Sequence, residues 1–197
     1  MFEVVWLIPL MPLLGFVFNG VMGRRMPRVS GWISTVSILA AFIFTVALCI
    51  GGVSADQPSW AFYPWVDSGD FVVNIGFLLD PLSIVMLLVV TGISTLVALY
   101  AVGYMEHDAS KARFHTWIPL FVFSMIMLVM SDNLVQLFMF WEMVGLCSYL
   151  LIGYWHHRTS ANTAATKAFL INRVGDFGFV IGIILAFIEF GTLSYRE

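Results

Sequence analysis

The stretch QLFMFWEMVGLCSYLLIGYW, residues 136–155, is long enough to cross a lipid bilayer and is apolar almost throughout, yet it carries Glu142 close to its middle. A charged side chain at the centre of a bilayer costs roughly 2.5–3.5 kcal/mol on insertion scales. The rest of the sequence has to explain why a carboxylate stands there.

Composition places this stretch in a membrane protein. The chain has 197 residues, of which 60% are hydrophobic and 11% charged, and its mean hydropathy is +0.94. A soluble domain has about a quarter charged residues, so one aqueous fold of this size cannot hide so much apolar surface. Barrel strands alternate over about ten residues, whereas the apolar runs here are unbroken over about twenty, which is the length of a spanning helix. The expected fold class is all-α, a polytopic transmembrane bundle of about six helices forming a single membrane domain. The net charge of −3 and the lack of a basic arm argue against nucleic acid. Cys49 and Cys147 both lie in apolar runs and read as small hydrophobes rather than as a metal or disulfide framework.

The spans are expected at 2–23, 29–52, 81–103, 115–131, 133–155 and 164–190. The first carries Glu3 at its amino end and its basic cluster, RRMPR at 24–28, comes afterwards; this is a retained helix rather than a signal peptide. Asp80-Pro81 is a helix start, a capping carboxylate before proline at the first helical position. In MSDNLV, residues 130–135, Asp132 is expected to cap the fifth helix.

Connections after odd-numbered helices hold Arg24, Arg25, Arg28, Lys111, Arg113 and Arg158. Those after even-numbered helices hold Asp56, Asp67, Asp70 and Asp132, with Arg196 as the exception. The positive-inside rule puts the basic connections in the cytoplasm and the amino terminus outside. The long outer loop, 54–80, carries Trp60, Phe62, Tyr63 and Trp65, which suit the headgroup level, and DFVVNIGF at 70–77 has the partial alternation of a short hairpin. His107, His115, His156 and His157 flank the basic connections and read as surface histidines.

Lys167, Arg173 and Asp176, all on the sixth helix, join Glu142 as charges inside the spans. Arg173 and Asp176 are three residues apart, so they share a helix face and can pair. Asp176 lies some 18 Å along the expected sixth helix, near the midplane, at the depth expected for Glu142 from the other side. Desolvation makes a lone buried carboxylate hold its proton, and a nearby cation makes it let go. A carboxylate whose cationic neighbour can approach or leave is therefore a proton-relay station, and intramembrane Asp and Glu are the usual ones. Blander roles stand beside this one. Glu142 as a protonated carboxyl can hydrogen-bond two helices, Arg173–Asp176 can be a static pair, and Lys167 near the helix end can snorkel to water. Gly145 and Tyr149 share roughly the face of Glu142, offering room and a hydroxyl. No phosphate loop, cysteine cluster or paired intramembrane histidines offers a redox group a place.

The segments FWEMVGLCSYLLIGYW (140–155), KAFLINRVGDFG (167–178) and the terminal GTLSYRE, with LLDPLSIVMLLVVTG (78–92) and YMEHDASKARFHTWIPLFVFSM (104–125), resemble the largest antiporter-like subunits of respiratory complex I. That resemblance implies a subunit of a NADH:quinone oxidoreductase in a bacterial cytoplasmic membrane, moving protons while partner subunits carrying flavin and iron–sulfur clusters pass electrons to quinone. No cofactor or metal is implied on this chain. Glu142 matches the family's fifth-helix glutamate, which pairs with a lysine on a later helix. Lys167, Arg173 and Asp176 match its sixth-helix motif. Met143 stands where glycine is common. Members of the family are longer, built from two inverted repeats, so the chain is expected to be part of a longer product or to be completed by another chain. The alternatives are the large subunit of a multi-subunit sodium/proton antiporter, a subunit of an inorganic-carbon uptake complex, or a truncated scaffold that pumps nothing. Val144-Gly145 favours complex I.

Overall fold

The computed structural model describes residues 5–52, 60–68 and 71–195. Six α-helices run in chain order: α1 (Leu7–Met22), α2 (Ser30–Gly51), α3 (Pro81–Tyr104), α4 (Lys111–Val129), α5 (Leu134–Ile152) and α6 (Thr159–Phe190). Between α2 and α3 lies a hairpin of β1 (Trp60–Ser68) and β2 (Phe71–Phe77), paired antiparallel from Trp60↔Phe77 to Ser68↔Phe71. Residues 71–77 of DFVVNIGF thus form the second strand of the hairpin. Tyr63 and Trp65 are exposed; the side chains of Trp60 and Phe62, and Glu3, Asp56, Asp70 and Arg196, lie outside the described residues.

The helices α2 to α6 are long and apolar enough to span a bilayer, α5 with the short turn to Trp155 that follows it. The helix α1 has 16 described residues, or about 24 Å of axis. Two helices begin earlier than the hydropathy expects. The first turn of α4 takes in Lys111 and Arg113, and α6 extends back to Thr159 to reach 32 residues. In both, the extra turns are polar: Lys111 to Arg113 are good helix formers, while Thr159 to Thr163, poorer by propensity, extend a helix that the apolar run has already nucleated.

The helix α4 is the hub, with neighbours in α1, α2, α3 and α5, while α6 packs chiefly on α5. The buried side chains follow from this. Ile8, Ile38, Leu87, Val122, Ile126 and Met130 form a core between α1 and α4, whereas only Ala165 and Asp176 are buried on α6. Proline at 119 inside α4 costs a backbone hydrogen bond, and this site is buried among neighbours that hold the helix together.

Polar contacts fix the two ends. On one, Asp80 caps α3, its Oδ1 accepting from the Ser83 amide at 2.6 Å. The cap of α5 is Asn133, not Asp132: its side-chain oxygen accepts from the Gln136 amide at 2.8 Å. Asp132 instead accepts from the Asn133 side chain at 2.6 Å, and its burial holds its carboxyl above the ordinary range against that bond. Gln136 reads both backbone groups of Gly76, donating to its carbonyl and accepting from its amide at 2.9 Å each, and so pins the hairpin to α5.

On the basic end, Asp108 accepts from the Tyr154 hydroxyl at 2.7 Å, the Trp155 indole at 3.1 Å and the Ser110 amide at 2.7 Å. Arg113 donates to the Tyr154 carbonyl at 2.6 Å. The α3–α4 connection is thereby tied to the end of α5. His115 is not a surface residue. It is 2% exposed, because α4 begins early and turns it inward against Gly31, where a side chain would press on its ring at 3.1 Å.

Burial is the largest influence on the Asp108 carboxyl and pushes its pKa up, but the Tyr154, Trp155 and Ser110 hydrogen bonds and nearby Arg113 together hold it below the ordinary 3.8. The fold therefore favours the carboxylate. Its stabilisation is complete above about pH 5 and is lost as pH falls through 3.8 and then the lower native value. Hydrogen exchange of the amides at 105–111 and 153–158, taken relative to the intrinsic rate at each pH, should accelerate over that acid range in the native protein. In Asp108→Asn it should already be fast at neutral pH and lose that dependence.

Candidate functional site

Glu142 lies about 12 Å along α5 from its start at Leu134, and Arg173 about 21 Å along antiparallel α6 from Thr159. The two helices meet there through charge. Arg173 Nη1 forms an ion pair with Glu142 Oε2, and Arg173 Nη2 stands 3.3 Å from Asp176 Oδ2, the three-residue spacing on one face. One guanidinium thus bridges two carboxylates from different helices. Its planar fork suits this, since it presents several donors in fixed directions.

Neighbours shape the site. Gly145 lies one turn beyond Glu142, and a Cβ there would stand 3.4 Å from Arg173 Nη2. The glycine thus leaves the guanidinium without a side chain against it. Below it, the Phe169 ring faces Arg173 Cζ at 4.7 Å, a cation–π contact that partly replaces water. Trp141 donates its indole N–H to Asp176 Oδ1 at 2.9 Å. Met143, whose bulk the sequence places beside the glutamate, packs against the core. Tyr149 sits against Phe169, ring centroids 5.3 Å apart.

The Asp176 side chain is 9% exposed, Glu142 24% and Arg173 34%. Two buried atoms, Arg173 Nε and Asp176 Oδ2, make no hydrogen bond. Beside them a recess of about 490 Å³ is walled by Trp141, Gly145, Ser148, Asn172 and Asp176 among others. Three polar side chains on an apolar surface give this recess room and partners for water.

Of the residues singled out in the sequence, Glu142, Arg173 and Asp176 meet. Lys167 does not join them. It is exposed, makes no ion pair among the described residues, and lines a different surface cleft with Asn162, Thr163 and Thr166. Six residues separate it from Arg173, about 9 Å of axis and about 240° of turn. Trp141 was missed by sequence reasoning, although it lies next to Glu142. An indole N–H in an apolar span needs a partner, and that was the available signal. Among the described residues, no three His, Cys, Asp or Glu side chains gather as a metal site.

Comparison with known proteins adds identity to geometry. Residues 65–115 match the family described as NADH-ubiquinone oxidoreductase (complex I), chain 5 N-terminus. Residues 131–197, which hold the whole Glu142–Arg173–Asp176 cluster, match the family described as NADH:quinone oxidoreductase/Mrp antiporter, TM. Subunit 5 of an NAD(P)H-quinone oxidoreductase in the chromatophore of Paulinella chromatophora is 43% identical over 204 residues, covering 98% of this chain and 30% of that protein. The chloroplast subunit 5 of Lolium perenne is 38% identical over 203 residues, covering 100% of this chain and 27% of that one.

The chain belongs to the complex I subunit 5 family.

It spans less than a third of the length of these subunit 5 relatives. Its fold is shared with a chain of the Mrp complex from Dietzia sp., at a TM-score of 0.81 and 24% identity over 98% of this chain and 20% of that one. A chain of the archaeal membrane-bound sulfane sulfur reductase gives a TM-score of 0.79 at 16% identity, over 98% of this chain and 38% of that one. The subunit 5 assignment accounts for the all-α spanning architecture and for the order of the segments that carry the charges.

The Trp141–Asp176 bond is testable as a coupling. A hydrogen bond to a charged group contributes about 1.5–3 kcal/mol, so Trp141→Phe and Asp176→Asn should each lower stability in mixed-micelle unfolding. The double variant should lose less than the sum by about 1 kcal/mol or more. Additive losses would show that the indole and the carboxylate do not interact.

Proposed function

We propose that this chain is the amino-terminal part of a proton-translocating, antiporter-like membrane subunit of a complex I-type NAD(P)H:quinone oxidoreductase, with Glu142, Arg173 and Asp176 as relay residues. The observation that carries this reading is the charge balance of the cluster. One guanidinium faces two carboxylates from two helices, so charge is balanced only when a proton or a second cation joins them. A purely structural clamp would satisfy every buried polar atom, because a half-satisfied network costs more than an apolar one. Here Arg173 Nε is without a hydrogen bond and Asp176 Oδ2 has only its 3.3 Å ion pair with Arg173, beside a recess that carries three polar side chains.

In this mechanism Arg173 is the switch. With the guanidinium on Glu142, the carboxylate is favoured as the anion. When Arg173 swings away toward Asp176, Glu142 takes a proton, and the return of a cation makes it let go. Gly145 leaves the space for that movement, and Trp141 holds Asp176 in place meanwhile. Lys167, exposed toward the basic end of α6, acts as a tuning charge or as an anchor at the water boundary rather than as a direct partner of Glu142. The cation that works Glu142 in the opposite direction belongs to a segment outside this chain, in keeping with the length of its relatives.

The chain is a multi-pass membrane protein. We place it in a bacterial cytoplasmic membrane with its basic end inward and its amino terminus outside, on the charge asymmetry of its connections. Its partners are other membrane subunits of the complex, and the flavin and iron–sulfur clusters that carry electrons sit on partner subunits. The shared fold with the Mrp complex chain supports a second reading, the large subunit of a sodium/proton antiporter.

The test is Glu142→Gln in the assembled complex. Quinone-coupled proton uptake into sealed vesicles should fall at least tenfold, on the order expected for loss of a positioned acid–base group, with subunit content unchanged. Unchanged proton transfer in a fully assembled variant would refute the relay and leave a scaffold. Transfer that requires sodium would favour the antiporter.

A further inference from the structure

The basic end of the bundle carries a second polar cavity, on the opposite side of α4 from the ion-pair cluster. It encloses about 570 Å³ between the α1–α2 turn, the start of α2, the end of α3 and the start of α4. Arg28, His107 and Lys111 line it with His115, Trp32 and Glu106. Arg28 and His107 are exposed, and the Lys111 ammonium donates to the Glu106 carbonyl at 2.9 Å, which holds it at the cavity. An ammonium has three donors, so two remain. His115 is 2% exposed and its Nδ1 has no hydrogen-bond partner. Deeper in, the lining turns apolar through Trp32, itself 52% exposed, and Val102. Gly103 opens the wall, and a Cβ there would meet nothing within 4 Å.

We propose that this cavity binds the phosphate headgroup of an anionic phospholipid. Two fixed cations outnumber the one carboxylate, Glu106, and both histidines offer ring nitrogens. Basic pockets between transmembrane helices at the membrane surface suit such headgroups. The step from cationic rim to apolar lining over one helical turn matches a phospholipid, whose phosphate stands one glycerol away from its acyl chains, better than a free ion. Trp32 takes the glycerol and upper acyl carbons, as an aromatic ring at the interface does. The bound lipid would add to the tie that Asn19 already makes there, its side chain donating to the Ser30 and His115 carbonyls. The site is independent of the relay and stands whether or not this chain pumps protons.

The experiment uses the parent complex in its membrane with photoreactive phosphatidylglycerol, its crosslinker near the headgroup, beside the matching phosphatidylcholine probe. Phosphatidylglycerol should label peptides covering 24–32 or 103–115 roughly tenfold more than phosphatidylcholine, as two basic side chains predict. Arg28→Gln with Lys111→Gln should bring labelling to the phosphatidylcholine level. Gly103→Leu, which fills the cavity and keeps every charge, should do the same. Arg24→Gln with Arg25→Gln, which removes the same charge beside the cavity, should leave labelling intact and shows that general surface charge is not the cause. Equal labelling by both probes, or labelling that survives both cavity variants, would overturn the proposal. Abolition by excess inorganic phosphate would overturn the lipid as occupant and leave a free-phosphate site.

Discussion

The ion pair of Arg173 with Glu142, extended to Asp176, is the constraint on which the α5–α6 half of the molecule depends. Beside it, aromatic contacts hold α6 on α5, Phe179 with Phe138 and Trp141, and Phe169 with Tyr149. The helix α6 buries only Ala165 and Asp176, and its apolar residues Leu170, Val174, Phe177 and Ile188 face outward. Lipid leaves no hydrophobic driving force between helices, so close packing, hydrogen bonds and charge bring them together, and on this face the charged cluster and the aromatic contacts around it set the approach of the two helices. Gly145 on α5 lies opposite the guanidinium, where a Cβ would stand in ordinary contact with it.

The two halves of the bundle are held by different physics. Between α1 and α4, close side-chain packing does the work, assisted by buried polar side chains that bond their own helices. Thr45, Thr91, Thr116 and Ser124 each donate to the carbonyl one turn back, which satisfies a hydroxyl in lipid without a partner helix. Between α5 and α6 the bonding crosses helices and involves charge. A closely packed half thus supports a half joined by charge across helices, the arrangement on which the proposed relay rests.

Much of this was legible in the sequence for a simple reason: charges in twenty-residue apolar runs are rare enough to be conspicuous. Glu142 and Asp176 stand out unaided, and the spacing of Arg173 and Asp176 predicts their pairing. Which partner Glu142 meets was not legible, since periodicity fixes faces within a helix but not the rotation of one helix against the next. Lys167 shows the same limit. Its motif placed it with the others, yet its side of α6 leads to a different surface. Local chemistry misled in small ways for equally physical reasons. Asp132 and Asn133 are both good caps, and the extended backbone at Asn133 decided between them. His115 looked superficial because the polar first turn of α4 hid where that helix begins. Trp141 and Gln136 were unremarkable as letters and gained meaning only when Asp176 and Gly76 came within hydrogen-bonding distance.

The central claim is that the cluster changes protonation state as it works, rather than holding two helices in one fixed charge state. Time-resolved infrared difference spectroscopy during quinone reduction, with carbon-13 in the glutamate and aspartate carboxyls in turn, tests it most directly. The account predicts a carboxylic-acid C=O band that appears and decays within each turnover, shifts with one of the two labels, and is lost in Arg173→Gln. A spectrum with no carboxyl change assignable to Glu142 or Asp176, in a complex that is pumping, would contradict it and make the cluster a static tie.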